Sequence, residues 1–174
     1  MPINAIFLDR DGIINEDINY LYKIDEFEFI DGIFEACLQY QELNYQIIII
    51  SNQSGIARGF YTESDYQKLT QWMLSKFSEK NIYILDVFHC PHGPESSCYC
   101  RKPKPGMFLE AKLKYDINMK KSWMIGDNER DILAANSAGI SKTILLDKNH
   151  TKLLSESKSD FIINSVKELN KVIK

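Results

Sequence analysis

No apolar run in this 174-residue sequence approaches the roughly 20 residues needed to cross a bilayer, and no membrane partner is expected. The start Met1-Pro2-Ile3-Asn4 lacks the charged and apolar regions of a signal peptide, which points to a cytoplasmic setting. Basic excess is missing too. The formal net charge is -3 with the signs interspersed, so nothing forms an electrostatic footprint for nucleic acid or a solvating tail. No repeat, low-complexity tract or linker divides the chain and no feature calls for a second protomer. The expectation is one domain over residues 1–174, acting as a monomer on a small molecule. Cysteine is scarce, and its four positions are poor arithmetic for a disulfide framework: Cys37 stands alone in a helical pattern, while Cys90, Cys98 and Cys100 crowd together. Metal binding suits that crowding better.

What the chain does have is a recurring pattern of short apolar runs that end in polar clusters. Ala5-Ile6-Phe7-Leu8 reads as a buried strand and stops at Asp9-Arg10-Asp11-Gly12, where the strand period of two sends both carboxylates towards one side. After an irregular aromatic-rich segment, Asp31 is expected to cap a helix to about residue 43. Gln46 to Ile50, with four consecutive isoleucines, is expected to be a strand buried on both faces that ends in Ser51-Asn52-Gln53-Ser54-Gly55. Thr62 and Asp65 offer a capping box for a helix to about residue 80. Strands are expected at 86–89, 122–125, 143–146 and 161–163. Helices are expected from Pro105-Gly106-Met107 to about 115, up to residue 138, and after Ser165 with Glu168. Strands alternating with helices predict an α/β fold: an open, mostly parallel, Rossmann-like sheet covered by helices on both faces.

In such sheets ligands bind beyond the carboxyl ends of the strands, so Asp9 and Asp11, Ser51 and Asn52, and Gly126 and Asp127 should meet at one edge. Asp9 and Asp11 alone fit an Asp-rich turn equally well, but three clusters at one edge favour a site. A carboxylate can attack phosphorus, given a cation that lets two anions approach. Oxygens of Asp9 and Asp127 and the backbone oxygen of Asp11 suit Mg2+. Ser51, Asn52, Arg101 and Lys102 are the residue types that hold phosphate oxygens. Asp131, one turn beyond Asp127, either supports the metal from behind or lies on a helix surface. Separately, Cys90-Pro91-His92 with Cys98-Tyr99-Cys100 supplies three thiolates and an imidazole, the donor set of a closed structural Zn2+ site. His89 competes with His92 as the nitrogen donor, although adjacent strand residues face opposite ways.

Taken in order, Phe7-Leu8-Asp9-Arg10-Asp11-Gly12, Ser51-Asn52-Gln53, Arg101-Lys102-Pro103 and Gly126-Asp127 resemble the four motifs of the haloacid dehalogenase superfamily of phosphatases. Within it the sequence is most similar to the D-glycero-D-manno-heptose 1,7-bisphosphate 7-phosphatases, with histidinol-phosphate phosphatases as near relatives. The resemblance implies Asp9 as nucleophile, Asp11 as general acid and then base, Ser51 and Lys102 as stabilisers of the phosphoryl group, and Asp127 as a Mg2+ ligand with Asp9 and Asp11. It implies the Cys-x-His pattern, hence His92, for zinc. It also places substrate contacts at Asp17, Ile18, Asn19, Tyr20, Ser51, Asn52, Gln53, Ser54, Arg101, Lys102 and Asn128. No segment is long enough for a cap domain, so an open site is expected. Its substrate would be a sugar bisphosphate of nucleotide-activated heptose biosynthesis. Only five residues separate His92 from Cys98, a short loop familiar from the histidinol branch, which keeps histidinol phosphate as the alternative substrate; the alternative to an enzyme is a zinc-stapled module that binds sugar phosphates without cleaving them.

Overall fold

Ile47, Ile48, Ile49 and Ile50 have no exposed surface. A strand shows alternate side chains to alternate faces, and here both faces are covered. Ile47 and Ile49 join one core, with Ile6 and Leu8, while Ile48 and Ile50 join another, with Ala5 and Phe7. In the computed structural model, which describes residues 1–174, these segments belong to one six-stranded sheet. Its strands are β1 (Ala5–Leu8), β2 (Gln46–Asn52), β3 (Ile84–Cys90), β4 (Trp123–Gly126), β5 (Lys142–Leu146) and β6 (Phe161–Ile163). They run parallel in the order β3-β2-β1-β4-β5-β6.

Five helices cover the sheet: α1 (Ile33–Glu42), α2 (Glu63–Glu79), α3 (Gly106–Tyr115), α4 (Glu129–Ser137) and α5 (Leu169–Val172). Cys37 and Tyr40 of α1, Met73 and Phe77 of α2 and Leu169 of α5 pack on one face, and Phe108 of α3 and Ala134 and Ala135 of α4 on the other. Each buried aliphatic or aromatic side chain of this kind is worth about 1.5–3 kcal/mol of transfer free energy, which makes the two cores the source of the sheet's rigidity. No further domain is inserted between the strands. No helix is long and apolar enough to cross a membrane.

Several element ends differ from expectation for local reasons. Asp31 does not cap α1. Gly32 occupies that position with φ of 93°, and the Asp31 carboxylate lies 2.6 Å from Lys167 Nζ instead. The Thr62–Asp65 capping box forms as expected. Ser122 sits just outside β4, where its Oγ accepts from the Ala5 N–H at 2.9 Å and ties the start of β1 to that of β4. Ser165 and Glu168 form their box, but it opens a single 3-10 turn before the short α5.

The chain leaves β1 for β2 on one side and later returns to β4 on the other, so the strand order reverses at β1. Crevices beyond the carboxyl ends of strands form at such a reversal. The ends of β1, β2 and β4 carry Asp9, Ser51 and Asp127.

Candidate active site

Asp9 follows β1 directly and its N–H donates to the Ile125 carbonyl of β4 at 3.0 Å, so the backbone that carries it is fixed on the sheet. Its carboxylate accepts from Lys102 Nζ at 2.8 Å. The same ammonium donates to the Ile50 carbonyl at 2.9 Å and lies 2.7 Å from Asp131 Oδ1. Lys102 and Asp131 are both buried. Asp131 is therefore not a surface helix residue. Its second oxygen accepts from the Asn128 N–H, while Asn128 Oδ1 accepts from the Arg130 N–H, so α4 is capped by the residues that deliver Asp131 to the site.

Lysine is aimed inward by a two-point clasp. The Lys102 N–H donates to Asn52 Oδ1 at 3.0 Å and Asn52 Nδ2 donates back to the Lys102 carbonyl at 3.1 Å. Asn52, expected to touch substrate, thus spends its amide on positioning the lysine. Asn128 likewise gives its side-chain oxygen to the helix cap.

Asp11 belongs to a second network. Arg10 donates to its Oδ1 from Nη2 at 2.8 Å and Nε at 3.2 Å, Asn15 Nδ2 donates to the same oxygen at 3.0 Å, and Gln53 Nε2 donates to Oδ2 at 3.0 Å. Gln53 also donates to Ser51 Oγ at 2.7 Å and accepts from the Tyr61 hydroxyl. Gln53 is buried and acts as a bridge between Asp11 and Ser51. Arg10 is 2% exposed, and its guanidinium also donates to the Leu21 carbonyl at 3.1 Å. The roles of Arg10, Gln53 and Tyr61 went unforeseen. The strand ends at Leu8, so strand parity does not fix where Arg10 points; it turns back onto Asp11, and a buried guanidinium requires such a carboxylate partner.

The two environments set the carboxylates apart. Burial, with the charges of Asp131 and Asp127 added, holds the Asp9 carboxyl well above its usual value despite Lys102. Burial and the Asp131 charge likewise push Asp127 up to about 6. Burial also works to raise Asp11, but the Arg10 charge and the bonds from Arg10, Asn15 and Gln53 outweigh it and keep Asp11 below the ordinary carboxylate range. Before any ligand enters, proton affinity is thus higher at Asp9 than at Asp11. This is the reverse of the order a nucleophile and a general acid require.

Negative charge is in excess at this point of the site. One carboxylate oxygen from each of Asp9, Asp127 and Asp131 lies within 4.8 Å of the others, against the single ammonium of Lys102. Three clustered carboxylates with one cation fit a divalent ion with oxygen ligands. The Asp11 side chain is committed to Arg10, Asn15 and Gln53, which leaves its backbone oxygen for any metal role.

The sulfur cluster fits a different ion. Cys90 Sγ lies 3.4 Å from His92 Nδ1, 3.8 Å from Cys98 Sγ and 3.0 Å from Cys100 Sγ, and His92 Nδ1 lies 3.3 Å from Cys100 Sγ. Tetrahedral Zn–S bonds of about 2.3 Å put ligand sulfurs about 3.8 Å apart, as Cys90 and Cys98 are, while Cys90 and Cys100 stand closer than that. His89 faces elsewhere: its Nε2 meets Glu63 at 2.7 Å and its ring packs on Tyr66. The cluster borders the site, since Arg101 follows Cys100 and its Nη1 donates to the His92 carbonyl at 3.3 Å.

A cleft of about 370 Å³ opens beside Asp11, with Asn52, Gln53, Ser54 and Arg101 in its walls and Asp17, Asn19 and Tyr20 at its rim. Asn19 and Tyr20 both take positive φ, 58° and 55°, while the Asp17 carboxylate accepts from the Asn19 N–H. Ile18 is half exposed in the same turn. A second cleft of about 400 Å³ adjoins it across Asp17 and includes Asp127 and Asn128.

A family model described as HAD-hydrolase-like matches residues 99–169. The chain is 51% identical to the D-glycero-alpha-D-manno-heptose-1,7-bisphosphate 7-phosphatase of Campylobacter jejuni over 148 residues, 85% of each chain. It is 39% identical to the D-glycero-beta-D-manno-heptose-1,7-bisphosphate 7-phosphatase of Yersinia pestis over 180 aligned positions, 99% of this chain and 96% of the other. Among solved structures it is similar to the D,D-heptose 1,7-bisphosphate phosphatase of B. bronchiseptica complexed with magnesium and phosphate. That likeness has a TM-score of 0.87 and 26% identity over 98% of both chains.

Gly12 offers a sharp test of the site's geometry. Its φ is +90°, and a Cβ added there would stand 1.9 Å from Asp127 Oδ2. Gly12→Ala is expected to displace Asp127 and lower turnover by about 100-fold, the scale of a misplacement near 1 Å. Steady-state kinetics check this, and wild-type turnover by Gly12→Ala would show that Asp127 does not need its observed position.

Proposed function

The chain belongs to the heptose-1,7-bisphosphate 7-phosphatase family of haloacid dehalogenase-like phosphatases, and from that premise we propose that it hydrolyses the C7 phosphate of D-glycero-D-manno-heptose 1,7-bisphosphate through an aspartyl phosphate on Asp9. The observation that carries the reading is the junction at Lys102, where Asp9 and Asp131 meet one buried ammonium next to Asp127 and beyond the ends of β1, β2 and β4. The identity of 51% to an enzyme named for the alpha anomer, against 39% to one named for the beta anomer, supports the alpha form of the substrate.

In this reading a carboxylate oxygen of Asp9 forms a bond to phosphorus as the bond from phosphorus to the sugar O7 breaks. Lys102 and the Ser51 hydroxyl donate to the phosphoryl oxygens as charge gathers on them. Asp11 supplies the proton that leaves with O7, then accepts one from the water that attacks phosphorus. That second displacement frees inorganic phosphate and regenerates Asp9. Asp11 starts below the ordinary carboxylate range. A phosphate dianion brought beside it raises its proton affinity, so substrate itself moves Asp11 towards the acid role. Gln53 keeps Asp11 and Ser51 at fixed separation through both steps. Mg2+, held by Asp9 and Asp127 with the backbone oxygen of Asp11, would neutralise the approaching anions, with Asp131 behind.

Zn2+ on Cys90, His92, Cys98 and Cys100 would order a loop with little apolar surface of its own and so fix Arg101 and Lys102. Four unpaired cysteines suit the reducing cytoplasm, where we place the protein as a single-domain monomer with its zinc loop at 90–100.

Asp9→Asn is expected to abolish phosphate release while leaving the fold intact by circular dichroism; turnover near wild type would remove Asp9 from the mechanism. A comparison of kcat/KM is expected to favour heptose bisphosphate over histidinol phosphate, and the opposite preference would move the chain to the histidinol branch. Metal analysis of purified protein should find about one zinc per chain, absent when Cys98 and Cys100 are replaced by serine. A zinc-free wild type would leave the loop without its staple.

A further inference from the structure

The chain has four arginines, Arg10, Arg58, Arg101 and Arg130, and all four line the one cleft beside Asp11. None of its lysines does. The residues come from four separate stretches of sequence, so their convergence is a product of the fold. Arg10 is committed to Asp11. The other three stand in no ion pair with any carboxylate of the chain. Arg58 reaches the cleft from the loop after β2 and lies over the Tyr20 ring, 5.8 Å from its centroid. Tyr20 in turn packs on Phe60 with ring centroids 4.5 Å apart, so an aromatic ledge carries the guanidinium. Arg130 enters from the first turn of α4, beyond Asp127 and Asn128, and Arg101 is clipped to the zinc loop through the His92 carbonyl.

Guanidinium groups match phosphate oxygens in pairs, and unpaired ones in a shared cleft attract a dianion and disfavour a cationic leaving group. The phosphate transferred to Asp9 is already served by Lys102 and Ser51. We propose that Arg58 and Arg130 grip the second phosphate of the substrate, the one that is not transferred, and so make the enzyme select bisphosphates over monophosphates. This rests on the phosphatase reading above and adds two residues to Arg101, the cleft arginine expected to contact substrate. It also gives a physical reason for rejecting histidinol phosphate, whose amine is protonated at neutral pH.

The test measures kcat/KM for heptose 1,7-bisphosphate and for heptose 7-phosphate with wild type, Arg58→Gln and Arg130→Gln. Both arginines are exposed, and heptose 7-phosphate serves as the internal control for folding. The expected result is a wild type that prefers the bisphosphate. Each variant should lower the bisphosphate-to-monophosphate ratio about tenfold, mainly through a higher KM for the bisphosphate. Added salt should erode the wild-type preference and affect the variants less. An unchanged ratio in both variants, or equal loss on both substrates, would overturn the proposal while the phosphatase reading stands. Hydrolysis of neither ester by the wild type would instead overturn the reading beneath it.

Discussion

A single buried ammonium holds this site together. Lys102 is 2% exposed and meets Asp9 from the end of β1, the Ile50 carbonyl from β2 and Asp131 from α4. Three elements that reach the site by different routes are thereby tied at one atom. A buried lysine left alone would shed its proton, and burial does work in that direction here, but Asp131 and Asp9 outweigh it and raise its proton affinity above the ordinary value. The ammonium form is thereby favoured, and the carboxylates of Asp9, Asp127 and Asp131 lie close together around it.

From this junction the division of labour between the two leading aspartates follows. Asp9 faces Lys102 in a carboxylate-rich pocket, whereas Asp11 is wrapped by Arg10, Asn15 and Gln53. Two residues apart on one chain, they answer to different charges. Asn52 and the sulfur cluster act at one remove: the first clasps the Lys102 backbone, and the second shapes the loop that brings Arg101 and Lys102 to the cleft. A loop of residues 93–99 with so few apolar side chains has no core of its own.

Much of this was legible in the sequence because strand parity and strand ends are written locally. The apolar run before Asp9, the isoleucines before Ser51 and the run before Gly126 locate the site edge without any knowledge of contacts. The compact Cys and His spacing locates the cluster of side chains able to ligate a metal in the same way. What was not legible depends on where side chains point after the chain turns. Asn52 lines the cleft and also clasps the Lys102 backbone, a contact across 50 residues that no local pattern encodes. Asp131 looked as much like surface as support, and is buried on Lys102 because α4 starts directly after Asp127. Gln53 bridges Asp11 and Ser51 across 42 residues of separation, which no local pattern encodes. The Asp31 cap failed because Gly32, free to take a positive φ, lets the chain turn into α1 one residue later.

If the Lys102 ammonium holds the site together, its energy must be coupled to that of Asp131. The direct measurement is a double-mutant cycle of unfolding free energy in metal-free buffer at neutral pH, with Lys102→Met, Asp131→Asn and the pair. Lys102→Met alone should cost about 3–5 kcal/mol, because it strands buried carboxylates. Adding Asp131→Asn should return part of that loss, with a coupling of about 0.5–3 kcal/mol. Additive losses in the double variant would contradict the account.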